Sequence, residues 1–323
     1  MNVRKLFRFG LGGIVGACLA VSAGLVLLPY GKGLINHSYS LLFGPRPHVN
    51  ANEVVLVYMD DDSFEKLKQP YVSPPWDRNL HAKLIDRLKA DGAKAVVFDI
   101  VFSDPLTNNP GADQNLARAM KEFGKVIVAA DYAKTASGVK EVKSKSIMPP
   151  FDLIAENVAN LGTADLDTDD DFIVRKLNVG ERDDQVFPMG WAAAELVGAN
   201  VTKIQEPEKR FAERWINYYG PPGHLPSISY YKAISDYRAV TGETDALESG
   251  FFRDKVVYVG SRLLTFGAGE RKDEYRSPHY LLQSKSSESL FMAGVEVQAT
   301  TFLNLLRGDW LTRLPKMQEA MII

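Results

Sequence analysis

Short, continuous apolar runs joined by amphipathic stretches constrain the fold of this chain more than any other feature of its sequence. The run Val54–Met59 is rich in β-branched residues, a pattern typical of a strand buried on both faces. Between Arg78 and Ala90 the apolar residues recur at helical spacing, and Gly92 follows where a helix would end. A second apolar run, Ala95–Phe98, predicts the next strand. Strand, helix and strand in this order predict a βαβ unit with a right-handed crossover.

The same alternation continues along the chain. We predict further helices over 113–123, 191–197 and 295–306, and further strands over 126–130, 215–218 and 256–259. The sequence therefore indicates one α/β domain, residues 34–306, with a mixed, largely parallel sheet covered by helices. The formal net charge is −2 and no long basic stretch is present, so the charge pattern gives no reason to expect a nucleic-acid partner.

An apolar segment near the N-terminus predicts a membrane anchor. Basic residues, among them Arg4 and Arg8, precede the uncharged run Leu11–Leu28. About 18 residues at roughly 1.5 Å each come close to the roughly 30 Å thickness of a hydrocarbon core. If the basic flank stays in the cytoplasm, residues 1–33 form a cytoplasmic tip and a transmembrane signal anchor, and most of the chain lies outside the cytoplasm. A cleaved signal peptide and a lipoprotein processing site at Cys18 are the alternatives.

Two glycines in the apolar run point to a partner helix. Gly12 and Gly16 are four residues apart, so they share one helix face and allow a second helix to approach closely. This spacing favours a homodimer in the membrane. The alternative is that glycine is simply common in membrane helices.

The C-terminal residues resemble the start of another membrane span. In 307–323 basic residues give way to the apolar stretch Ala320–Ile323. We therefore expect residues 307–323 to be the beginning of a further, truncated transmembrane segment.

Carboxylates follow the predicted strands and form a candidate site. Asp60 and Asp61 follow the first strand, Asp99 follows the second, and Asp273 follows the strand over 256–259. Ligands of open α/β sheets bind beyond the carboxyl ends of the strands. If the first two strands are neighbours, these side chains, with Arg78, can bind an ion or small molecule: Mg²⁺, Ca²⁺ or a cationic ligand.

A structural role for the same residues is the alternative. Asp60 and Asp99 can accept hydrogen bonds from backbone N–H groups and from Arg78, which would secure the sheet edge and the helix starts that follow it.

The common catalytic arrangements are absent from the sequence. No HExxH or Gly-x-Ser-x-Gly pattern occurs, and the single cysteine, Cys18, lies within the apolar run. No catalytic residue is predicted, and whether the chain is part of an enzyme stays open. Two functions are open at this point: an exported metal-dependent hydrolase that uses Asp60 and Asp99, and an envelope scaffold that does not signal.

Seven local sequences together resemble a CHASE2 domain, in the order and spacing of that family, over about residues 35–310. They begin at Tyr58, Pro75, Phe98, Phe172, Ile216, Val257 and Gly294. Two positions depart from the family pattern. Asp77 stands where the family has proline, and Gln298 stands where histidine is usual.

The resemblance implies a function for the whole chain. CHASE2 domains are extracytoplasmic sensory modules of bacterial membrane receptors, which places this chain at the inner membrane with its bulk in the periplasm. In such receptors the sensor responds to a stimulus, here an unidentified small molecule or ion. It controls a cytoplasmic output domain, such as an adenylate or guanylate cyclase or a protein kinase, which this chain lacks.

Overall fold

A parallel β-sheet forms the centre of the domain. A computed structural model describes residue 16 and the ranges 29–44, 46–71, 75–132, 147–182, 184–235, 250–263, 273–281 and 290–314. The strands in these ranges are β1 Val54–Asp60, β2 Ala95–Phe98, β3 Val126–Tyr132, β4 Ile147–Met148, β5 Asn160–Thr163, β6 Ser227–Ser229, β7 Val256–Arg262, β8 Glu274–Arg276 and β9 Phe291–Ala293.

The strand order is β5-β3-β2-β7-β1-β6, and all of these neighbours are parallel. The short β4 pairs antiparallel with the end of β3, which makes the sheet mixed. Tyr258 of β7 lies opposite Leu56 of β1 and Val97 of β2, so β7 separates the first two strands of the chain. The prediction of a mixed, largely parallel sheet is confirmed.

Helices cover both faces of the sheet. They are α1 Pro29–Leu41, α2 Asp61–Lys66, α3 Arg78–Asp91, α4 Pro110–Phe123, α5 Asp152–Ala155, α6 Met189–Leu196, α7 Pro207–Arg210, α8 Tyr230–Ile234 and α9 Gly294–Arg307, with 3₁₀ turns at Asn200–Lys203 and Pro278–Leu281. Helices α1, α6 and α9 supply residues to the core on one face. Helices α2, α3, α4, α5 and α8 supply the core on the other.

The two cores explain the continuous apolar runs. In β1, Leu56 and Tyr58 belong to the core beneath α1, α6 and α9, whereas Val57 and Met59 belong to the opposite core. Successive side chains of a strand point to opposite faces, so a strand covered on both faces needs apolar residues at every position.

The predicted helix ends are confirmed where glycine follows the last turn. Gly92 ends α3 with φ 84°, and Gly124 ends α4 with φ 65°. Both lie in the left-handed region, which glycine adopts without a Cβ clash. At the other end of α3, Asp77 accepts a hydrogen bond from the backbone N–H of Asn79 at 3.0 Å.

The prediction of a strand over 215–218 is wrong. Trp215 forms only isolated bridges, one to Lys176 and one to Leu311. Its backbone N–H donates to Leu311 at 2.9 Å and its carbonyl accepts from Leu311 at 2.8 Å. The apolar pattern that suggested a strand reflects burial of Trp215, Ile216 and Tyr218 in the core on the α9 face.

The predicted membrane anchor over 11–28 lies outside the described residues except for residue 16, and so do residues 315–323. Within the described ranges, no helix has the length and apolar character that a membrane span requires.

Candidate functional site

Asp60 has a structural role at the end of β1. Its carboxylate accepts a hydrogen bond from the backbone N–H of Ser63 at 3.0 Å and caps α2. It also accepts from the hydroxyl groups of Ser63 and Ser229. Asp61 is the first residue of α2, where a negative charge is favourable near the helix N-terminus. The predicted structural role, in which the Asp60 carboxylate accepts a hydrogen bond from a backbone N–H, is confirmed by the bond from Ser63.

Arg78 lies away from the predicted carboxylates. Its buried guanidinium forms an ion pair with Asp113 and donates to the backbone carbonyl of Asp104. The prediction that Arg78 donates to Asp60 and Asp99 is wrong, because its side chain lies between α3 and α4. There it connects the two helices to the loop that follows β2.

The strand order separates Asp60 from Asp99. Because β7 lies between β1 and β2, their ends are two strand spacings apart, roughly 9 to 10 Å. The assumption that the first two strands are neighbours is wrong, and the hydrolase alternative loses its geometric basis. Across the described part of the chain, no group of three or more His, Cys, Asp or Glu side chains is placed to hold a metal ion. The Mg²⁺ or Ca²⁺ site stays a prediction.

Asp99 instead approaches Asp273, and we call these two residues the Asp99 pair. Burial, followed by the nearby carboxylate of Asp273, raises the pKa of Asp99 to about 7. Burial and Asp273 also raise the pKa of Tyr275 to about 12. Burial raises the pKa of Tyr258, and the nearby Asp99 raises it further. Within the described ranges, the buried hydroxyl of Tyr258 has no hydrogen-bond partner. The structure thus brings together two of the five predicted ligand-binding residues.

A second buried acid, Glu296, lies at the start of α9. It is 1% exposed, and burial raises its pKa to about 7. The backbone N–H of Gly223 donates to it at 2.9 Å, and the hydroxyl of Tyr58 donates at 3.3 Å. The Arg262 guanidinium lies 5.0 Å from the centre of the Tyr58 ring, and its charge acts against the effect of burial on Glu296. These four residues form the Glu296 cluster.

A glycine allows α9 to approach the sheet between these two groups. A Cβ on Gly260 of β7 would lie 2.6 Å from the Cβ of Val295, which is too short for two non-bonded carbon atoms. Gly260 lies opposite Tyr58 in the register of β1 and β7. The first turn of α9 therefore packs directly against the carboxyl end of the sheet.

The opposite face of the same edge contains an aromatic pocket of about 240 Å³. It opens beyond the ends of β1 and β2, between the start of α3 and the loop after β2. We use the name aromatic pocket for the ring side chains of its lining, Phe64, Tyr71, Trp76, His81 and Phe102. Arg78, Ser103, Asp104 and several aliphatic residues and prolines complete the lining.

His81 contributes an uncharged ring to this pocket. It is buried, and its Nδ1 lies 2.8 Å from the hydroxyl of Tyr230. Burial, followed by the charge of Arg78, lowers the pKa of His81 to about 3. The imidazole is therefore neutral at physiological pH and contributes an uncharged aromatic ring to the pocket.

Comparison with known families identifies the chain. The model of the CHASE2 domain family matches residues 16–323, nearly the whole length. The chain belongs to the CHASE2 family. CHASE2 domains are extracellular sensory domains. Comparisons with curated proteins and with solved structures found no significant match.

Five of the seven segments that resemble the family contribute residues to the carboxyl edge of the CHASE2 sheet. Tyr58, Gly223 and Glu296 come from three of the seven segments, and the Tyr58 hydroxyl and the Gly223 N–H both donate to the Glu296 carboxylate. Trp76 and Phe102 come from two more and line the aromatic pocket. The resemblance therefore follows a spatial site, not only a set of core positions.

The two departures from the CHASE2 pattern have local structural roles. Asp77 caps α3, a role that its carboxylate performs and a proline could not. Gln298 is buried in α9, and its Nε2 donates to the carbonyl of Ala164 at 2.8 Å.

Sequence reasoning missed the Glu296 cluster and the aromatic pocket. The segment from Gly294 to Glu296 was recognised, but its contact with Gly223 joins residues 73 positions apart. The signal available in the sequence was Gly260, a glycine at the end of a buried strand, which often indicates close approach of another backbone.

Proposed function

We propose that this chain is the extracytoplasmic sensor region of a bacterial transmembrane receptor. In this proposal residues 11–28 anchor it in the inner membrane, and the CHASE2 domain lies in the periplasm. A stimulus received there is passed to a cytoplasmic output domain of the nucleotide cyclase or protein kinase class. Family membership supports the sensory role, and the sequence supports the anchor.

One structural observation supports the transmission of a signal. Helix α9 starts at the Glu296 cluster and runs for 14 residues, about 21 Å, to Arg307. The chain then reaches Leu311, which pairs with Trp215. The ring of Trp215 lies 5.4 Å from that of Tyr39 in α1, the helix that follows the predicted anchor. A packing change at the Glu296 cluster can therefore pass through α9 and Trp215 to α1, the helix that follows the proposed anchor.

We further propose a homodimer as the signalling unit. Gly12 and Gly16 supply the close helix contact in the membrane. A ligand can shift such a receptor only by binding its two states with different affinity, so the ligand site must differ between them.

The topology is tested by cysteine labelling of the full chain. In a Cys18→Ser background, Asn108→Cys places one thiol on the exposed loop after β2. We expect a membrane-impermeant maleimide to label it in intact spheroplasts. The matched variant Asn2→Cys lies before the anchor and should be labelled only after lysis.

The reverse labelling pattern would overturn the proposed topology. Release of the chain from membranes by alkaline carbonate would overturn the anchor. Both results can be read without knowing the ligand.

A further inference from the structure

The ring geometry of the aromatic pocket is suited to a flat ligand. The rings of Phe64 and Tyr71 are stacked, with centroids 4.5 Å apart and planes 8° apart. Trp76 meets Phe64 edge to face, with centroids 4.7 Å apart. Tyr71 is 42% exposed although it is a large aromatic side chain. Aromatic rings bind other rings by offset stacking or edge contacts, and the rings of this pocket make both kinds of contact with one another.

The size of the pocket limits the ligand to one or two fused rings. Its volume of about 240 Å³ is below the roughly 300 to 1,000 Å³ of sites for drug-sized ligands. Its place beyond the ends of β1 and β2 is where open α/β sheets bind ligands.

The charges around the pocket disfavour an anionic ligand. The charge of Arg78 is compensated by Asp113, and the imidazole of His81 is neutral. At the rim, the hydroxyl of Ser103 donates to the carboxylate of Asp104 at 3.0 Å. A negative ligand would meet this carboxylate, and the described residues of the lining offer it no uncompensated cation.

We propose that the aromatic pocket binds a small, planar, uncharged aromatic molecule, a proposal that rests on the sensor function proposed above and gives its ligand class. The pocket walls supply stacking and edge contacts to the ring. Ser103 and Asp104 supply hydrogen bonds to a polar substituent at the rim.

The test uses 5-fluoroindole as the probe and the full chain in lipid nanodiscs. Binding is measured from the broadening of the ¹⁹F resonance, and empty nanodiscs give the lipid background. We expect saturable binding. The anionic 5-fluoroindole-2-carboxylate should bind at least tenfold more weakly.

Three variants locate the site. Tyr71→Ala removes one ring and should weaken binding about fivefold. Ser103→Trp fills the mouth from an exposed position and should abolish binding. The control Phe172→Ala removes an aromatic ring that is 67% exposed and outside the pocket, and should leave binding unchanged.

The absence of saturable binding would overturn the proposed ligand class. If the anionic probe bound as tightly as 5-fluoroindole, the proposed ligand class would also be overturned. The same holds if Tyr71→Ala and Ser103→Trp each bound 5-fluoroindole as tightly as the unmodified chain does. If 5-fluoroindole did not bind but the cysteine labelling gave the expected pattern, the proposed ligand class would be wrong and the proposed topology would be kept. Specific binding with reversed labelling would leave the ligand site standing and remove the receptor topology.

Discussion

At the scale of single residues, the site depends on acids that are buried at the end of a sheet. Glu296 has a backbone N–H and a tyrosine hydroxyl as hydrogen-bond donors, yet burial still raises its pKa. Asp99 shows the same direction of shift next to Asp273. Both groups therefore favour the protonated form more in the folded chain than in the unfolded chain.

Replacing Glu296 by glutamine should flatten the pH dependence of stability. Because folding raises the pKa of Glu296 from 4.5 to about 7, its contribution is full below about pH 4.5 and is lost as the pH rises through 7. At about 1.4 kcal/mol per pKa unit, the loss is at most about 3.5 kcal/mol. Thermal unfolding of the full chain in nanodiscs at pH 5 and pH 8 measures it.

The control for this prediction is Glu65→Gln, which changes an exposed carboxylate on α2. It should keep the pH dependence of the unmodified chain. Asp99 is expected to leave some pH dependence in Glu296→Gln. An unchanged difference in melting temperature between pH 5 and pH 8 in Glu296→Gln would contradict the prediction.

At the scale of elements, the contact between α9 and β7 positions the site. Gly260 allows Val295 to pack against the strand, and α9 then carries Glu296 to Tyr58 and Gly223. The same helix provides much of the core on its face of the sheet, including Phe302 and Leu305. A small displacement of α9 would therefore affect both the site and the core.

The variant Gly260→Ala should destabilise the domain by about 1 to 3 kcal/mol. The added methyl group would overlap Val295, and overpacking of a core typically costs this much. The matched control is Gly33→Ala in α1, where a Cβ meets no atom within 4 Å. It should be neutral or stabilising by up to about 1 kcal/mol, because alanine favours a helix more than glycine does.

Urea unfolding of both variants in nanodiscs measures the difference. Equal urea midpoints for Gly260→Ala and the unmodified chain would contradict the prediction. They would show that α9 can move away from β7 without a loss of stability.

At the scale of the whole molecule, Trp215 connects α1 with the last described residues of the chain. Tyr39 of α1 contacts Trp215, which pairs with Leu311 near the end of the described chain. In the proposed receptor the anchor precedes α1, so this contact joins the last described residues to the helix that follows the anchor. The Glu296 cluster lies at the opposite end of α9.

The proposed dimer predicts which face of the anchor forms crosslinks. Ala20 lies four residues after Gly16, so in the proposed anchor helix it would share the face of Gly16, whereas Cys18 would lie on another face. In membranes of cells that express the full chain, Ala20→Cys in a Cys18→Ser background should form a disulfide-linked dimer under mild oxidation. The unmodified chain, with Cys18 alone, should form much less. Equal crosslinking at both positions would contradict the proposed contact face.

Much of the local structure could be predicted because it depends on local burial. The runs in β1, β2 and β3 are apolar at every position, since helices cover both faces of the sheet. Gly92 and Gly124 end helices because glycine, which has no Cβ, adopts the left-handed conformation without a steric clash. By contrast, the buried segment at Trp215 looked like a strand, because an apolar run does not reveal whether its backbone has a neighbour to pair with.

The sequence by itself determined the α/β class, the alternation of elements, the apolar N-terminal run and the resemblance to a family, because each depends on neighbouring residues. The tertiary structure decided which carboxylates meet. Val256 pairs with both Val54 and Ala95, which places β7 between β1 and β2 and separates Asp60 from Asp99. These partners are distant along the chain, and strand order follows from the summed packing of the whole sheet, which no local pattern records.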